Sequence, residues 1–265
     1  MIILFVIILT FFASLVSALF GGGSGLLIVP GIFWLLTHIN NPGQHYIMQT
    51  TIATSFLLSI PIGLISSLKH YKYGNIDINL IKRYLPLILL GVIIGLIALL
   101  FIKTDFLKLY FSIMVFGIAL WMYFKKSEDY NHIKSQKELS IWFVRIISFL
   151  IGFISTTIGA SIFIVPFLIK MKVDIRKAIA TSTVIVFIYA VIASISLILI
   201  GLSLQNLPNG NIGLINLPIF LTGVAPSIVG SLIGTKLANI LPKNRLKSIF
   251  VIMMIIVSVI MAIPK

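Results

Sequence analysis

GGGSGLLIVP at residues 21–30 and TIGASIFIVP at residues 157–166 are two versions of one pattern, a break of small residues followed by Ile-Val-Pro. Three more motifs of the first half recur in the same order: Ile52-Ala53-Thr54-Ser55 at 179–182, Gly74-Asn75-Ile76 at 210–212, and Leu85-Pro86 at 217–218. The four separations are 136, 127, 136 and 132 residues. We therefore predict a duplicated half. Duplicated halves in membrane proteins indicate transport, because many transporters are built from inverted repeats.

The composition is that of an integral membrane protein. Of 265 residues, 59% are hydrophobic and 10% are charged, with a mean hydropathy of +1.16, whereas about a quarter of the residues in a soluble domain are charged. The net charge of +14 does not indicate nucleic acid, because the 20 basic residues lie in short loops between apolar runs, where they orient a chain in the bilayer. The predicted partner is the lipid bilayer. Cysteine is absent, which excludes disulfides and thiolate metal sites.

Eight apolar runs approach the roughly 20 residues that a helix needs to cross the bilayer. They are residues 1–20, 47–68, 84–102, 106–124, 141–158, 178–204, 214–236 and 246–263. Two shorter stretches, Leu26 to Leu36 and Ile162 to Ile169, follow directly on the two breaks. Each is predicted to be the returning arm of a hairpin inside the membrane. We expect residues 1–20 to be retained, since a signal peptide needs a basic n-region and the first basic residue is Lys69.

The predicted fold class is an all-α integral membrane protein with two inverted-topology repeats. Each repeat is a re-entrant helical hairpin plus three transmembrane helices, at residues 1–124 and 141–265, with a cytoplasmic linker at 125–140. Cytoplasmic loops collect Lys and Arg, and this arrangement puts 17 of the 20 basic residues on one face. It predicts a multi-pass protein of the plasma (inner) membrane with both termini extracytoplasmic. Three spans per repeat, an odd number, make the second copy run in the opposite direction.

The sequence offers little for catalysis. The six acidic residues fall in loops or at span ends, so there is no obvious buried carboxylate for a proton relay or a sodium site. Phosphate-loop, metalloprotease and nucleophile-elbow motifs are absent, and the four histidines are scattered through predicted loops. We therefore predict no enzyme, no cofactor and no metal site.

The predicted binding site lies at the hairpin tips. Each break ends one helix and begins another near the midplane, and the free N–H groups at the start of the returning arm favour an anion. Ser24 and Gly25 are expected to start the first arm, and Ala160 and Ser161 the second. Hydroxyl groups that open the next span add further donors. The predicted substrate-binding residues are Gly23, Ser24, Gly25, Thr51, Thr54, Ser55, Thr157, Gly159, Ser161, Thr181 and Ser182, with Gly21, Gly22, Pro30 and Pro166 as structural helix breaks.

These residue types also have a purely structural interpretation. Ser and Thr in membrane helices often donate to carbonyls of their own helix, and this interpretation stays open for the hydroxyls of both Ala-Thr-Ser motifs. Their repetition at equivalent places favours a functional role. For the pairs Gly91 with Gly95 and Gly230 with Gly234, the small-xxx-small spacing predicts close helix packing instead of binding.

At these motifs the chain resembles the sulfite exporter TauE/SafE family, also called the 4-toluene sulfonate uptake permease family. The first half of the resemblance comprises residues 21–25 with Ile28-Val29-Pro30, Ala53-Thr54-Ser55 and Tyr73–Asp77, and the second comprises residues 157–161 with Val165-Pro166, Ala180-Thr181-Ser182 and 210–212. It covers essentially the whole chain, although the second hairpin has fewer glycines than the family pattern. The resemblance implies a plasma-membrane permease for small sulfur-containing or organic anions such as sulfite, sulfonates or thiosulfate. It leaves the substrate and the direction of transport open.

The predicted function is a secondary transporter that carries a small anion by alternating access. A coupling proton or ion and the oligomeric state are left open. Two alternatives remain: a membrane scaffold or assembly protein in which the breaks serve helix packing alone, and a channel-like anion facilitator. Hydration of the tips discriminates between transport and a scaffold, because transport requires the tips to face a polar cavity, whereas a scaffold would bury them among packed side chains.

Overall fold

The computed structural model describes residues 1–39, 45–124, 140–241 and 243–262. Within these ranges the chain forms ten helices and one two-stranded antiparallel hairpin. The elements are α1 (Ile2–Phe20), α2 (Ser24–Ile39), α3 (Ile47–Lys72), α4 (Ile78–Phe101), α5 (Thr104–Phe124), α6 (Ile141–Ile158), α7 (Ile164–Lys170), α8 (Ile175–Gly201), β1 (Asn211–Ile212), β2 (Ile215–Asn216), α9 (Leu217–Ile240) and α10 (Lys243–Ala262).

The helices confirm an all-α protein that crosses the membrane several times. Seven of them, α1, α3, α4, α5, α6, α8 and α9, are long and apolar enough to span a bilayer. They coincide with seven of the eight predicted spans. The eighth, predicted at residues 246–263, coincides with α10. The predicted linker lies outside the described residues except for Ser140.

The two returning arms differ in length. Helix α2 has 16 residues and reaches Ile39, so at about 1.5 Å per residue it is about 24 Å long, still short of the hydrocarbon thickness. Helix α7 has seven residues and begins at Ile164, which is about 10 Å. The expectation that Ala160 and Ser161 start the second arm is therefore wrong, since both lie in the turn before α7.

Backbone geometry explains this difference. In the first break Gly21 and Gly22 both have positive φ, 74° and 114°, and the chain reverses within three residues. Only glycine adopts such angles readily. The second break has a single residue of this kind, Gly159 with φ 69°. The chain there needs a longer turn before a helix can begin again.

The prolines do not act as the predicted breaks. Pro30 is the seventh residue of α2, which continues for nine more residues. Membrane helices tolerate such a proline when neighbouring groups satisfy the freed carbonyl. Pro166 is the third residue of α7, in the first turn, where a backbone N–H has no acceptor in its own helix. Gly21, Gly22 and Gly159 form the breaks instead.

The helices pack in pairs around α3 and α8, which contact each other extensively. Helix α1 packs on α9 as α4 packs on α6, α3 packs on α9 as α8 packs on α4, and α5 packs on α10. If each of α1–α5 is exchanged in order with α6–α10, so that α1 becomes α6 and α4 becomes α9, every one of these contacts becomes another contact of the same set. This is the pairing expected of two repeats, and their inverted relationship stays a prediction.

Glycines bring these paired helices into backbone contact. A Cβ on Gly91 of α4 would overlap the carbonyl oxygen of Phe149 in α6, and a Cβ on Gly152 would overlap that of Ile88. Gly230 and Gly234 of α9 approach α1 in the same way, at the carbonyls of Phe11 and Leu15. The prediction that the small-xxx-small pairs serve helix packing is thereby confirmed.

Helices α4 and α9 begin at equivalent N-caps. Oδ1 of Asp77 accepts hydrogen bonds from the N–H groups of Asn79 and Leu80 at 3.0 and 3.2 Å, and Asn216 caps α9 through the N–H of Ile219 at 3.3 Å. Pro218 lies in the first turn of α9, whereas Pro86 lies inside α4. The sequence match between Leu85-Pro86 and Leu217-Pro218 therefore does not identify equivalent positions.

Candidate functional site: two hairpin tips between α3 and α8

The first tip, residues 21–25, is held by α1 and α3. The N–H of Gly22 donates to Ser17 O at 2.9 Å, and the N–H of Gly23 donates to Ser17 Oγ at 3.3 Å. Oγ of Ser24 lies 2.8 Å from Ser59 Oγ. Because Ser59 donates its own proton to Ser55 O at 2.7 Å, Ser24 is the donor in the bond between the two serines.

The second tip, residues 159–163, is held by α6 and α8. The N–H of Ala160 donates to Ser155 O at 3.2 Å. The hydroxyl of Ser161 forms a short hydrogen bond with the hydroxyl of Tyr189. Tyr189 is fully buried, and its ring packs edge-to-face on Phe56 of α3 with the centroids 5.9 Å apart.

The two tips lie directly against each other. A Cβ on Gly25 would overlap the carbonyl oxygen of Gly159 and would stand 2.7 Å from its carbonyl carbon and 2.9 Å from Ala160 Cα. Gly22 also lies beside the second tip, since a Cβ there would be 3.5 Å from Ser161 Cβ. Glycine at 25 is therefore a requirement of this contact.

The Ala-Thr-Ser motifs connect the halves through four hydrogen bonds, which we call the crossed hydrogen bonds. Two are donated by serines: Ser55 Oγ of α3 to Gly159 O at 3.4 Å, and Ser182 Oγ of α8 to Gly21 O. The other two are accepted by threonines: Thr54 Oγ1 from the N–H of Asn216 at 2.9 Å, and Thr181 Oγ1 from the N–H of Asp77 at 3.2 Å. Each motif thus contacts the tip and the helix start that belong to the other half.

These contacts also fix the relative direction of α3 and α8. Thr54 lies near the start of α3 and contacts the segment that follows α8, while Thr181 lies near the start of α8 and contacts the segment that follows α3. The two helices are therefore antiparallel. The end at Asn216 has an additional bond between the halves, from Nδ2 of Asn211 to Thr50 Oγ1 at 2.9 Å.

Several predicted residues also follow the purely structural interpretation. Thr51 donates to Ile47 O at 2.9 Å, and Thr157 donates to carbonyls of α6 at 3.1 Å. Thr54 donates to Thr50 O within α3 and accepts its crossed hydrogen bond. Ser55 and Ser182 each share a single proton between a carbonyl of their own helix and the crossed acceptor. The structure thus brings seven of the predicted residues to the contact between the tips or to the crossed hydrogen bonds: Gly25, Thr54, Ser55, Gly159, Ser161, Thr181 and Ser182. Ser24 instead bonds to Ser59 within the first half.

The buried side chains around the tips are polar and carry no formal charge. Ser24 is 3% exposed and Ser161 7%, and the four residues of the crossed hydrogen bonds in the two motifs are fully buried. Among the described residues the buried polar side chains include no Asp, Glu, Lys or Arg, and no group of three metal-ligating side chains occurs there. The first turn of α2 adds backbone N–H groups without acceptors in their own helix. Donors without a fixed acid suit an anion better than a cation.

Sequence reasoning missed several residues of this region. Asp77 and Asn216 lie beside the repeated Gly-Asn-Ile motifs, which were a usable signal. Ser59 follows Ser55 by one helical turn on the same face of α3, a weaker signal. Tyr189 stands singly in an apolar run and offered none, whereas Ser155 directly precedes Thr156 and Thr157 at the second break, a signal that was overlooked.

Burial of the tips is what a scaffold requires, and it is also what a transporter shows when it is closed to both sides. Fold and site together define a multi-pass membrane protein with an uncharged, donor-rich centre between two helical hairpins, which is the architecture of a membrane transporter.

The family model of the sulfite exporter TauE/SafE matches residues 6–261. The chain therefore belongs to the TauE/SafE family of membrane transporters, which is typically non-enzymatic. It is similar to a probable membrane transporter protein of Haemophilus influenzae, with 30% identity over 249 residues covering 93% of each chain. It is also similar to a probable membrane transporter protein of Methanocaldococcus jannaschii, with 27% identity over 251 residues covering 90% of this chain and 87% of the relative. No solved structure matches the chain.

Proposed function

We propose that this transporter carries a small sulfur-containing anion, such as sulfite, thiosulfate or an organosulfonate, and binds it at the two hairpin tips. The observation that supports this most strongly is the contact of the tips in a buried region that is rich in donors and without charged side chains. An anion there gains hydrogen bonds and meets no fixed negative charge. The family match supports the sulfur-containing class.

The proposed mechanism is alternating access between two inverted repeats, residues 1–124 and 141–265. The antiparallel course of α3 and α8 and the crossed hydrogen bonds support it. The bonds at Asn216 and at Asp77 lie toward opposite ends of the α3–α8 pair. Loss of one would open the tips toward one side while the other keeps the opposite side closed. The proposal includes a location in the plasma membrane with both termini extracytoplasmic.

Transport by the purified chain in proteoliposomes tests the proposed function. Labelled sulfite, thiosulfate and methanesulfonate would be offered separately, without a pH gradient and with a gradient of each sign. We expect saturable flux of at least one anion. Flux that rises linearly with concentration would instead indicate a facilitator. No flux of any of the three anions under any gradient would overturn the assignment.

The crossed hydrogen bonds predict opposite effects of two similar substitutions. Thr181→Val leaves the N–H of Asp77 without its acceptor, and Thr54→Val does the same to the N–H of Asn216. An unsatisfied buried donor costs about 1–3 kcal/mol, so each variant is expected to favour opening at its own end by about five- to 150-fold.

Cysteine labelling measures this effect without background, because the chain has no cysteine. Ala178→Cys reports on the end at Thr181 and Thr51→Cys on the end at Thr54, and both native residues are fully buried. Thr181→Val should accelerate labelling at 178 alone, and Thr54→Val at 51 alone. Thr183→Val is the control, since this hydroxyl donates to Ile179 O within α8. Equal acceleration at both reporters in either variant would contradict the assignment of the two ends.

A further inference from the structure

The second tip has a hydroxyl proton that the protein does not use. Ser161 and Tyr189 carry one O–H each, and their mutual hydrogen bond uses one of the two protons. The other has no acceptor among the described residues. Tyr189 is fully buried and Ser161 nearly so, so the unused donor does not face bulk solvent. At the first tip, by contrast, the Ser24 proton is committed to Ser59.

Ser155 provides an independent observation at the same tip. It lies four residues before Gly159, as Ser17 lies four residues before Gly21 at the first tip. Ser17 Oγ accepts the N–H of Gly23. Ser155 Oγ is fully buried and has no hydrogen-bond partner among the described residues. The N–H of Ala160 bonds to the backbone oxygen of Ser155, so this serine lies one turn below the second tip.

We propose that Tyr189 and Ser155 donate hydrogen bonds to the oxygen atoms of the transported anion at the second tip, while Ser161 donates its own proton to Tyr189. This inference rests on the proposed function and makes its site asymmetric. The ligand class is a small oxyanion with two or more oxygen acceptors, because the two donors come from different helices, α8 and α6. Tyr189 and Ser155 are thereby substrate-contacting residues.

Physical chemistry favours this assignment over a packing role. An unpaired buried hydroxyl destabilises a protein, and two such donors next to one turn double that cost unless a ligand satisfies them. Hydrogen bonds to a charged acceptor are stronger than neutral ones. A dehydrated oxyanion therefore recovers more here than a neutral solute would.

Equilibrium binding to the purified transporter tests the inference apart from transport. Sodium sulfite, sodium thiosulfate and sodium methanesulfonate would be titrated by calorimetry at constant ionic strength. We expect Tyr189→Phe and Ser155→Ala each to weaken binding by about tenfold or more, the loss typical of one hydrogen bond to a charged group. Both substitutions remove a hydroxyl and little else.

Two matched variants separate this effect from general damage. Tyr84→Phe changes another buried tyrosine, whose ring packs on Phe167 of α7. Ser148→Ala changes another buried serine of α6, whose hydroxyl donates to Val144 O. Both should leave the Kd within about twofold. If the native protein binds an anion and the variants at 189 and 155 bind it equally well, this inference fails and the proposed function stands. If the native protein neither binds nor transports any of the three anions, the proposed function itself fails.

Discussion

Gly25→Ala is expected to abolish anion flux and to lower thermal stability, although it adds only one methyl group. The added Cβ would overlap the carbonyl oxygen of Gly159 and crowd Ala160 Cα. These neighbours are backbone atoms, so no flexible side chain can move aside. Overpacking of this kind costs about 1–3 kcal/mol and is relieved by a shift of the backbone. Such a shift separates the two tips and with them the groups of the proposed site.

Gly117→Ala is the matched control. Gly117 lies in α5, and a Cβ built on it meets nothing within 4 Å. The same substitution in open space should stabilise a helix by about 0.5–1 kcal/mol, because alanine loses less backbone entropy than glycine. Flux in proteoliposomes and the unfolding temperature in detergent would be measured for both variants. Flux of Gly25→Ala above half the native rate would show that contact between the tips is not required.

The spans and the positions of the breaks could be predicted because both are local properties. Long apolar runs must be helical in a bilayer, since every backbone polar group has to be satisfied within the segment. Runs of small residues mark where such a helix ends. The start of α7 could not be predicted in this way. The position of that start depends on how many consecutive residues take positive φ, which is two at the first break and one at the second. The repeated Ile-Val-Pro motif is the same in both halves and does not indicate this difference.

The candidate site was partly predictable. The repeated Ala-Thr-Ser motif identified hydroxyls that meet the opposite half, and Ser24 and Gly25 begin α2 as expected. Their partners could not be read from the motif. That Thr54 contacts the N–H of Asn216 depends on the antiparallel packing of α3 and α8, which brings residues 162 positions apart together. The contact of Tyr189 with the second tip could not be predicted from the sequence, because it depends on the packing of that tip against α8.

Gly91→Leu and Gly230→Leu are expected to destabilise the protein strongly and to a similar extent. Helix association inside a bilayer gains little from the hydrophobic effect and depends on close packing of small residues. A side chain on Gly91 would overlap Phe149 O and stand 2.8 Å from the N of Phe153, and one on Gly230 would overlap Phe11 O.

Each leucine must therefore push its helix pair apart, α4 from α6 or α9 from α1, and forfeit the contacts along the whole interface. We expect a loss of more than about 3 kcal/mol, at the upper end of single-residue effects, measured as a fall in the unfolding temperature. Gly117→Leu, in open space, should change that temperature little.

The similarity of the two losses is itself informative, because α4 on α6 and α9 on α1 exchange places when the first five helices are exchanged with the last five. A large loss at one glycine and none at the other would show that the two interfaces are not equivalent, and would contradict the duplicated architecture on which the mechanism depends.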